Sequence, residues 1–215
     1  MLVTIAVTII STFGLIILAE SRQLFNPVNH LQKLVPFSSP IILKVETIED
    51  QGYNYENHFI TTEDGYILMY HRIPHGKYTQ NSRQKPAALL MHGIGSTSAE
   101  FVFGNPKGNL AFILADLGYD VWLGNARGTV WSRNHTTLDP GADAKRFFDF
   151  SWHEIGYYDL AAAIDYILAT TKTKKLHYIG HSQGGTAFLV LASTRPSYNK
   201  KIRLASLLSP AVVTS

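Results

Sequence analysis

The run LHYIGHSQGGTAFLVLAS, residues 176–193, decides the fold. Leu176, Tyr178 and Ile179 open it as a short apolar run, which predicts a buried strand over residues 176–179. Ala187 to Leu191 then form a second apolar run, which predicts a helix over residues 184–193. Between them stands Gly180-His181-Ser182-Gln183-Gly184, with Gly185 behind it. A G-x-S-x-G pentapeptide alone is a weak signal. Set between strand and helix, it predicts a tight turn that strains the serine backbone and lifts the hydroxyl above the sheet. Gly180 and Gly184 are then the positions where strand and helix approach too closely for a Cβ. The helix start behind Ser182 also brings partial positive charge to any anion developing there. An ordinary serine in a glycine-rich helix start is the plainer alternative. His181 borders the serine, but a neighbour in so tight a turn points its side chain elsewhere, so it reads as a bystander.

Upstream of this stretch, strands and helices alternate. Residues 87–91 are an apolar strand stopped by His92-Gly93; residues 109–117 are helical and end at Gly118; residues 120–123 are another buried strand. Ser151-Trp152-His153-Glu154 has the form of a capping box, in which the serine oxygen accepts from the N3 amide and the glutamate reaches back. Behind it Ile155, Tyr158, Ala162 and residues 164–167 recur at helical spacing to about Thr170. Residues 203–208 form a further strand after the helix of the opening stretch. Such alternation from residue 87 onward is the mark of an α/β fold with a parallel sheet. Before it, residues 58–62 and 66–73 flank the turn Glu63-Asp64-Gly65 and predict a β-hairpin.

Composition sets the outer bounds. Of 215 residues, 46% are hydrophobic and 16% charged, which is globular and excludes a coiled coil or a disordered tail. The net charge is +3, and its densest cluster, Lys172, Lys174 and Lys175, reads as a solvated turn and not a nucleic-acid patch. Without cysteine, the chain has no disulfide framework, thiolate zinc site or cysteine nucleophile. Residues 1–21 read as a signal peptide: residues 2–19 are uncharged, and Ala19-Glu20-Ser21 supplies an A-x-S cleavage pattern. A single N-terminal membrane anchor is the alternative, because the apolar length reaches that threshold. The sequon Asn134-His135-Thr136 fits the secretory route. Residues 22–40 carry Pro27, Pro36 and Pro40 without apolar periodicity and read as an extended segment.

Two further patterns lead nowhere. Gly93-x-Gly95 follows a strand as a dinucleotide loop would, but Ser98 stands where the third glycine belongs. His153-Glu154 begins like a zinc protease helix, but Tyr157 stands where the second histidine is needed. No metal or cofactor is expected. The loop after residues 87–91 does carry chemistry, because in a fold with this serine turn it donates the second oxyanion-hole amide. The candidate donors are the N–H groups of Ile94 and Gln183.

Residues 89–102 (LLMHGIGSTSAEFV), 118–135 (GYDVWLGNARGTVWSRNH), 147–168 (FFDFSWHEIGYYDLAAAIDYIL) and the Ser182 turn together resemble the acid lipase family of gastric, lysosomal and insect lipases. Residues 52–77 are similar to that family's N-terminal lipase-associated region, and the likeness runs from about residue 41 to the end of the chain. The resemblance implies an α/β-hydrolase fold, with an N-terminal lipase region at 41–105 and a partial hydrolase core at 106–215. It implies Ser182 as nucleophile and Ile94 and Gln183 as oxyanion donors. It further implies neutral lipid esters as substrate, acylglycerols or sterol esters, met at a lipid–water interface without cofactor. Nucleic acid has no place in it.

One departure from the pattern stands out. The triad of this fold runs Ser, then Asp or Glu, then His, and after Ser182 this sequence holds no Asp, Glu or His. All nine histidines lie upstream of Ser182. Three expectations stay open: a lipase piece, with the core cut after the strand at 203–208; a non-catalytic lipid-binding or structural product; or an unrelated esterase or peptidase on the same fold, using an upstream histidine. The strand at 203–208 is expected to leave an unpaired edge.

Overall fold

The computed structural model describes residues 5–8, 46–79, 85–103 and 106–212. The expected extended segment at 22–40 lies outside them, as does the expected leader apart from residues 5–8.

Eight strands form one sheet: β1 (Ile5–Thr8), β2 (Glu56–Thr61), β3 (Tyr66–Ile73), β4 (Ala87–Met91), β5 (Asp120–Leu123), β6 (Asn134–His135), β7 (Leu176–His181) and β8 (Ile202–Leu208). Their order is β1-β8-β7-β4-β5-β3-β2, with β6 paired on β3. β4 runs parallel to both β5 and β7, and β7 parallel to β8, as the alternation predicts. The β2–β3 hairpin joins the same sheet antiparallel, through β3 on β5.

The sheet buries both faces, and the two-residue strand period sorts its side chains between them. Leu89, Met91, Trp122 and Tyr178 face one layer, where they pack with Ile164 and Ile167 of α5 (Ala161–Thr171) and Phe188 and Leu191 of α6 (Gln183–Thr194). Ala88, Leu90, Val121 and Leu123 face the other, with Ile48 of α1 (Glu46–Asp50) and Phe112 of α2 (Leu110–Asp116). Burying each large apolar side chain contributes about 1.5–3 kcal/mol, so β4 and β5, buried at every position, anchor the domain.

Two expectations change. The helix read from Ser151 to Thr170 is α4 (Trp152–Glu154), a π-helical turn (Ile155–Leu160) and then α5, following the short α3 (Ala144–Phe147). At the π turn Gly156 lies against the Ala187 carbonyl, and a Cβ there would come within 2.8 Å of Val190 Cβ. The capping box at Ser151 forms: its oxygen accepts from the backbone of the first turn, including the His153 amide at 3.1 Å, while Glu154 takes the Ser151 N–H at 2.7 Å. The outer edge of β8 is also covered: Ile5–Thr8 pairs parallel with Ala205 to Leu208. An unpaired row of backbone donors and acceptors attracts any extended apolar segment within reach.

Candidate active site

Ser182 sits between β7 and α6 with φ 47° and ψ −114°. A non-glycine residue occupies that left-handed region only when its surroundings hold it there. Its N–H donates to the Leu208 carbonyl at 2.9 Å, and its own carbonyl accepts from Gly185 at 2.9 Å and Thr186 at 3.2 Å. A Cβ on Gly180 would stand 2.7 Å from the Gly184 carbonyl carbon, so strand and helix do meet there. Gly184 answers to a different neighbour. A Cβ on it would strike the Met91 carbonyl and stand 3.0 Å from the His92 oxygen, so its size is set by β4 and not by its own strand.

The loop after β4 is held from both sides. Buried His92 accepts at Nε2 from the Ala126 N–H, at 3.2 Å. Its proton is therefore on Nδ1, which donates to the Gly93 carbonyl at 2.7 Å. Ser96 N–H reaches the same carbonyl at 3.3 Å and closes a turn over Ile94 and Gly95, whose φ of 72° suits glycine. The Gly93 N–H donates to Glu100 Oε2 at 3.1 Å, and Glu100 Oε1 stands 2.6 Å from His181 Nδ1 on the elbow. In a trans peptide C=O and N–H point opposite ways. The bonds on the Gly93 carbonyl therefore aim the Ile94 N–H.

Ile94, Ser182 and Gln183 line one cleft of about 420 Å³ with Trp152, Thr186 and Val212. Neither the Ile94 nor the Gln183 N–H makes a hydrogen bond among the described residues. A second cleft of about 590 Å³ shares Ile94, Trp152 and Gln183 and extends past His92, Arg127 and Phe150. Ile94, Trp152 and Val212 are more than half exposed, so the mouth of the first cleft is apolar.

Behind the second cleft lies a charge cluster that sequence reading missed. Arg127, in the loop after β5, donates Nε to Asp159 at 2.8 Å and Nη1 and Nη2 to Asp64 at 2.6 and 2.9 Å. Its guanidinium also stacks over Tyr66, 3.9 Å from the ring centre. Asp159, in the π turn, is fully buried; burial pushes its carboxyl up to about 6, and Arg127 restrains the rise. Asp64, in the hairpin turn, is held below its ordinary value: burial opposes this, but the Arg127 and Thr62 bonds prevail. The partners are 32 and 63 residues apart, a separation with no periodic signal in sequence.

The remaining predicted positions are placed simply. Asn134 is exposed on β6, opposite Ile67. His153 stacks on Tyr157, with ring centres 5.8 Å apart. Among the described residues no cluster of three potential ligands could hold a metal ion, and no helix is long and apolar enough to cross a membrane.

Comparison with known proteins agrees with this fold. The family model of the alpha/beta hydrolase fold matches residues 86–214, and that of a partial alpha/beta-hydrolase lipase region matches residues 45–105. Lipase 1 of Drosophila melanogaster is 54% identical over 165 residues, 77% of this chain and 36% of that protein. The gastric triacylglycerol lipase of Homo sapiens is 43% identical over 180 residues, 83% of this chain and 45% of that protein. The chain thus spans less than half the length of these relatives. Among solved structures, an esterase from Pyrococcus furiosus shares the fold with a TM-score of 0.54 at 24% identity, over 78% of this chain and 54% of that one. The chain belongs to the α/β-hydrolase family, and residues 45–105 carry that family's lipase region.

Proposed function

We propose that this chain supplies the nucleophile and oxyanion hole of a serine ester hydrolase acting on neutral lipid esters, acylglycerols or sterol esters. The observation that carries this reading is the left-handed backbone of Ser182 at a helix start, in one cleft with the unpaired amides of Ile94 and Gln183. In the reaction, Ser182 Oγ bonds to the ester carbonyl carbon as its proton passes to a base. The carbonyl oxygen becomes an oxyanion held by the two N–H groups, each worth roughly 3 kcal/mol of barrier. Collapse expels the alcohol and leaves an acyl-serine, which water then cleaves. No step calls for a cofactor. The apolar mouth suits a lipid–water interface, and the name of the human relative, a triacylglycerol lipase, points to the same substrate class.

A second reading, a lipid-binding protein without turnover, has one observation in its favour: the two histidines nearest Ser182 are turned to other partners. Both ring nitrogens of His92 are engaged, and His181 Nδ1 faces Glu100. Losing a triad base removes on the order of a millionfold in kcat, leaving roughly a thousandfold over water. The test is ester hydrolysis by the 215-residue chain and by a form extended with a downstream Asp and His, each with and without Ser182→Ala. The expected result is negligible turnover by the first and Ser182-dependent turnover by the second. Robust turnover by the 215-residue chain, abolished by Ser182→Ala, would instead mean that an upstream histidine acts as base.

We also propose export, to the outside or the lysosome, with cleavage near Ser21 and glycosylation at Asn134. N-terminal sequencing of the secreted product checks it. An intact Met1 in the membrane fraction would favour an N-terminal anchor.

A further inference from the structure

The end of the sheet opposite Ser182 holds a second concave site. β4, β7 and β8 run parallel, so the segments that precede them meet at one end. Together with Arg203 of β8 itself, they bring Lys85, Lys172, Lys174 and Lys175 around one cleft of about 410 Å³ whose lining holds no carboxylate. The strands rise about 3.3 Å per residue, which puts this cleft some 15–20 Å from Ser182.

The cations there are not neutralised. Lys172, Lys174, Lys175 and Arg203 have no carboxylate partner among the described residues, whereas Arg72, Arg127 and Arg195 each have one. Lys85 donates to the Pro74 carbonyl at 3.0 Å, which fixes its ammonium at the rim. The carboxylate that acts on Lys85 is Asp120, and Arg72 already holds both its oxygens, at 2.9 and 2.7 Å. The helix α5 ends at Thr171 with Lys172 as its C-cap, and a helix end carries only about half a negative charge. Five cationic side chains therefore line one cleft that contains no carboxylate. His177, two residues into β7, is held below its ordinary value by burial first and then by Arg203.

A cleft lined in this way is complementary to a multivalent anion. Phosphate and sulfate groups accept charge-assisted hydrogen bonds from both Lys and Arg. The volume lies within the 300–1,000 Å³ usual for small-molecule sites and exceeds what a bare oxyanion fills. We propose that this cleft binds a phosphate or sulfate group carried on a small soluble molecule. A lipid headgroup is the poorer fit, because the apolar mouth at Ser182 opens from the opposite end of the sheet.

The test follows the melting temperature of the 215-residue chain by tryptophan fluorescence. The titrants are inorganic phosphate, glucose 6-phosphate and glucose, at an ionic strength held constant with sodium chloride. Stabilisation grows with ligand occupancy and yields the affinity. Glucose 6-phosphate is expected to bind more tightly than phosphate, and glucose to have no effect. Arg203→Gln, and separately Lys172→Gln with Lys174→Gln and Lys175→Gln, should each weaken binding about tenfold. Lys145→Gln with Lys200→Gln, exposed and outside the cleft, should leave it unchanged. Equal stabilisation of wild type and cleft variants, or none beyond that of chloride, would overturn the site. Glucose 6-phosphate binding no tighter than phosphate would overturn the carrier. Capture by phosphatidylserine vesicles, lost in the cleft variants without any response to the soluble anions, would overturn the choice of a soluble ligand.

Discussion

The two clefts that share Ile94, Trp152 and Gln183 are backed by different materials. The elbow around Ser182 is held by backbone: a strained φ, a bond to the Leu208 carbonyl, and glycines where carbonyls crowd in. The wall behind the second cleft, where the hairpin turn, the β5 loop and the π turn meet, is held by the buried ion cluster of Asp64, Arg127 and Asp159. A backbone-built wall tolerates changes of charge but not of size. A charge-built wall tolerates neither the loss of one partner nor a shift in protonation.

The largest expected effect tests the charged wall. Arg127→Met strands Asp159 without its cation in a fully buried position and should cost about 3–5 kcal/mol in urea unfolding. Adding Asp159→Leu should recover part of that, because the stranded charge is then gone. A loss below 1 kcal/mol in the single variant would mean that the cluster is not what holds this wall.

Next comes the backbone wall. Gly184→Ala puts a methyl against the Met91 and His92 carbonyls and must push α6 away from β4, at about 3 kcal/mol. Gly95→Ala, where a Cβ meets nothing within 4 Å, should cost less, through its φ alone. Equal losses would show that backbone strain, and not crowding, sets the elbow's tolerance.

The last effect appears only on acidification and concerns the hairpin behind the charged wall. Burial lowers His71 to about 4 from an ordinary 6.5, and its Nδ1 donates to Asn57 Oδ1 at 2.8 Å. The fold therefore favours the neutral ring. That contribution is complete above pH 6.5 and falls as the pH drops towards 4, where the unfolded chain takes a proton that the fold refuses. The stability difference between wild type and His71→Gln should shrink by about 3 kcal/mol between pH 7.5 and 4. A difference independent of pH would show that His71 titrates normally.

How much could be read in advance follows the same division. The pentapeptide at Gly180, the apolar runs of β4 and β5, and the hairpin turn are local signals, because a strand, a tight turn or a glycine contact announces itself within a few residues. The hairpin's place in the main sheet was not legible, since nothing in residues 66–73 names β5 as partner. The π turn escaped too: Ile155, Tyr158 and Ala162 have helical spacing whether or not one turn is widened. Glu100, which joins the Gly93 amide to His181, had no signature, and neither did Arg127 with its two distant carboxylates.

By itself the sequence determined the alternation of strand and helix, the serine between them and the apolar strands that bury a core. Periodicity and glycine spacing are properties of neighbouring residues, and the backbone obeys them before any long-range contact forms. Tertiary structure alone decided that Gly184 must be small because of β4, that the Gly93 carbonyl aims the Ile94 amide, and that five cations gather at the far end of the sheet. Each of these depends on which segments lie side by side once the core has closed, and distance along the chain carries no record of that.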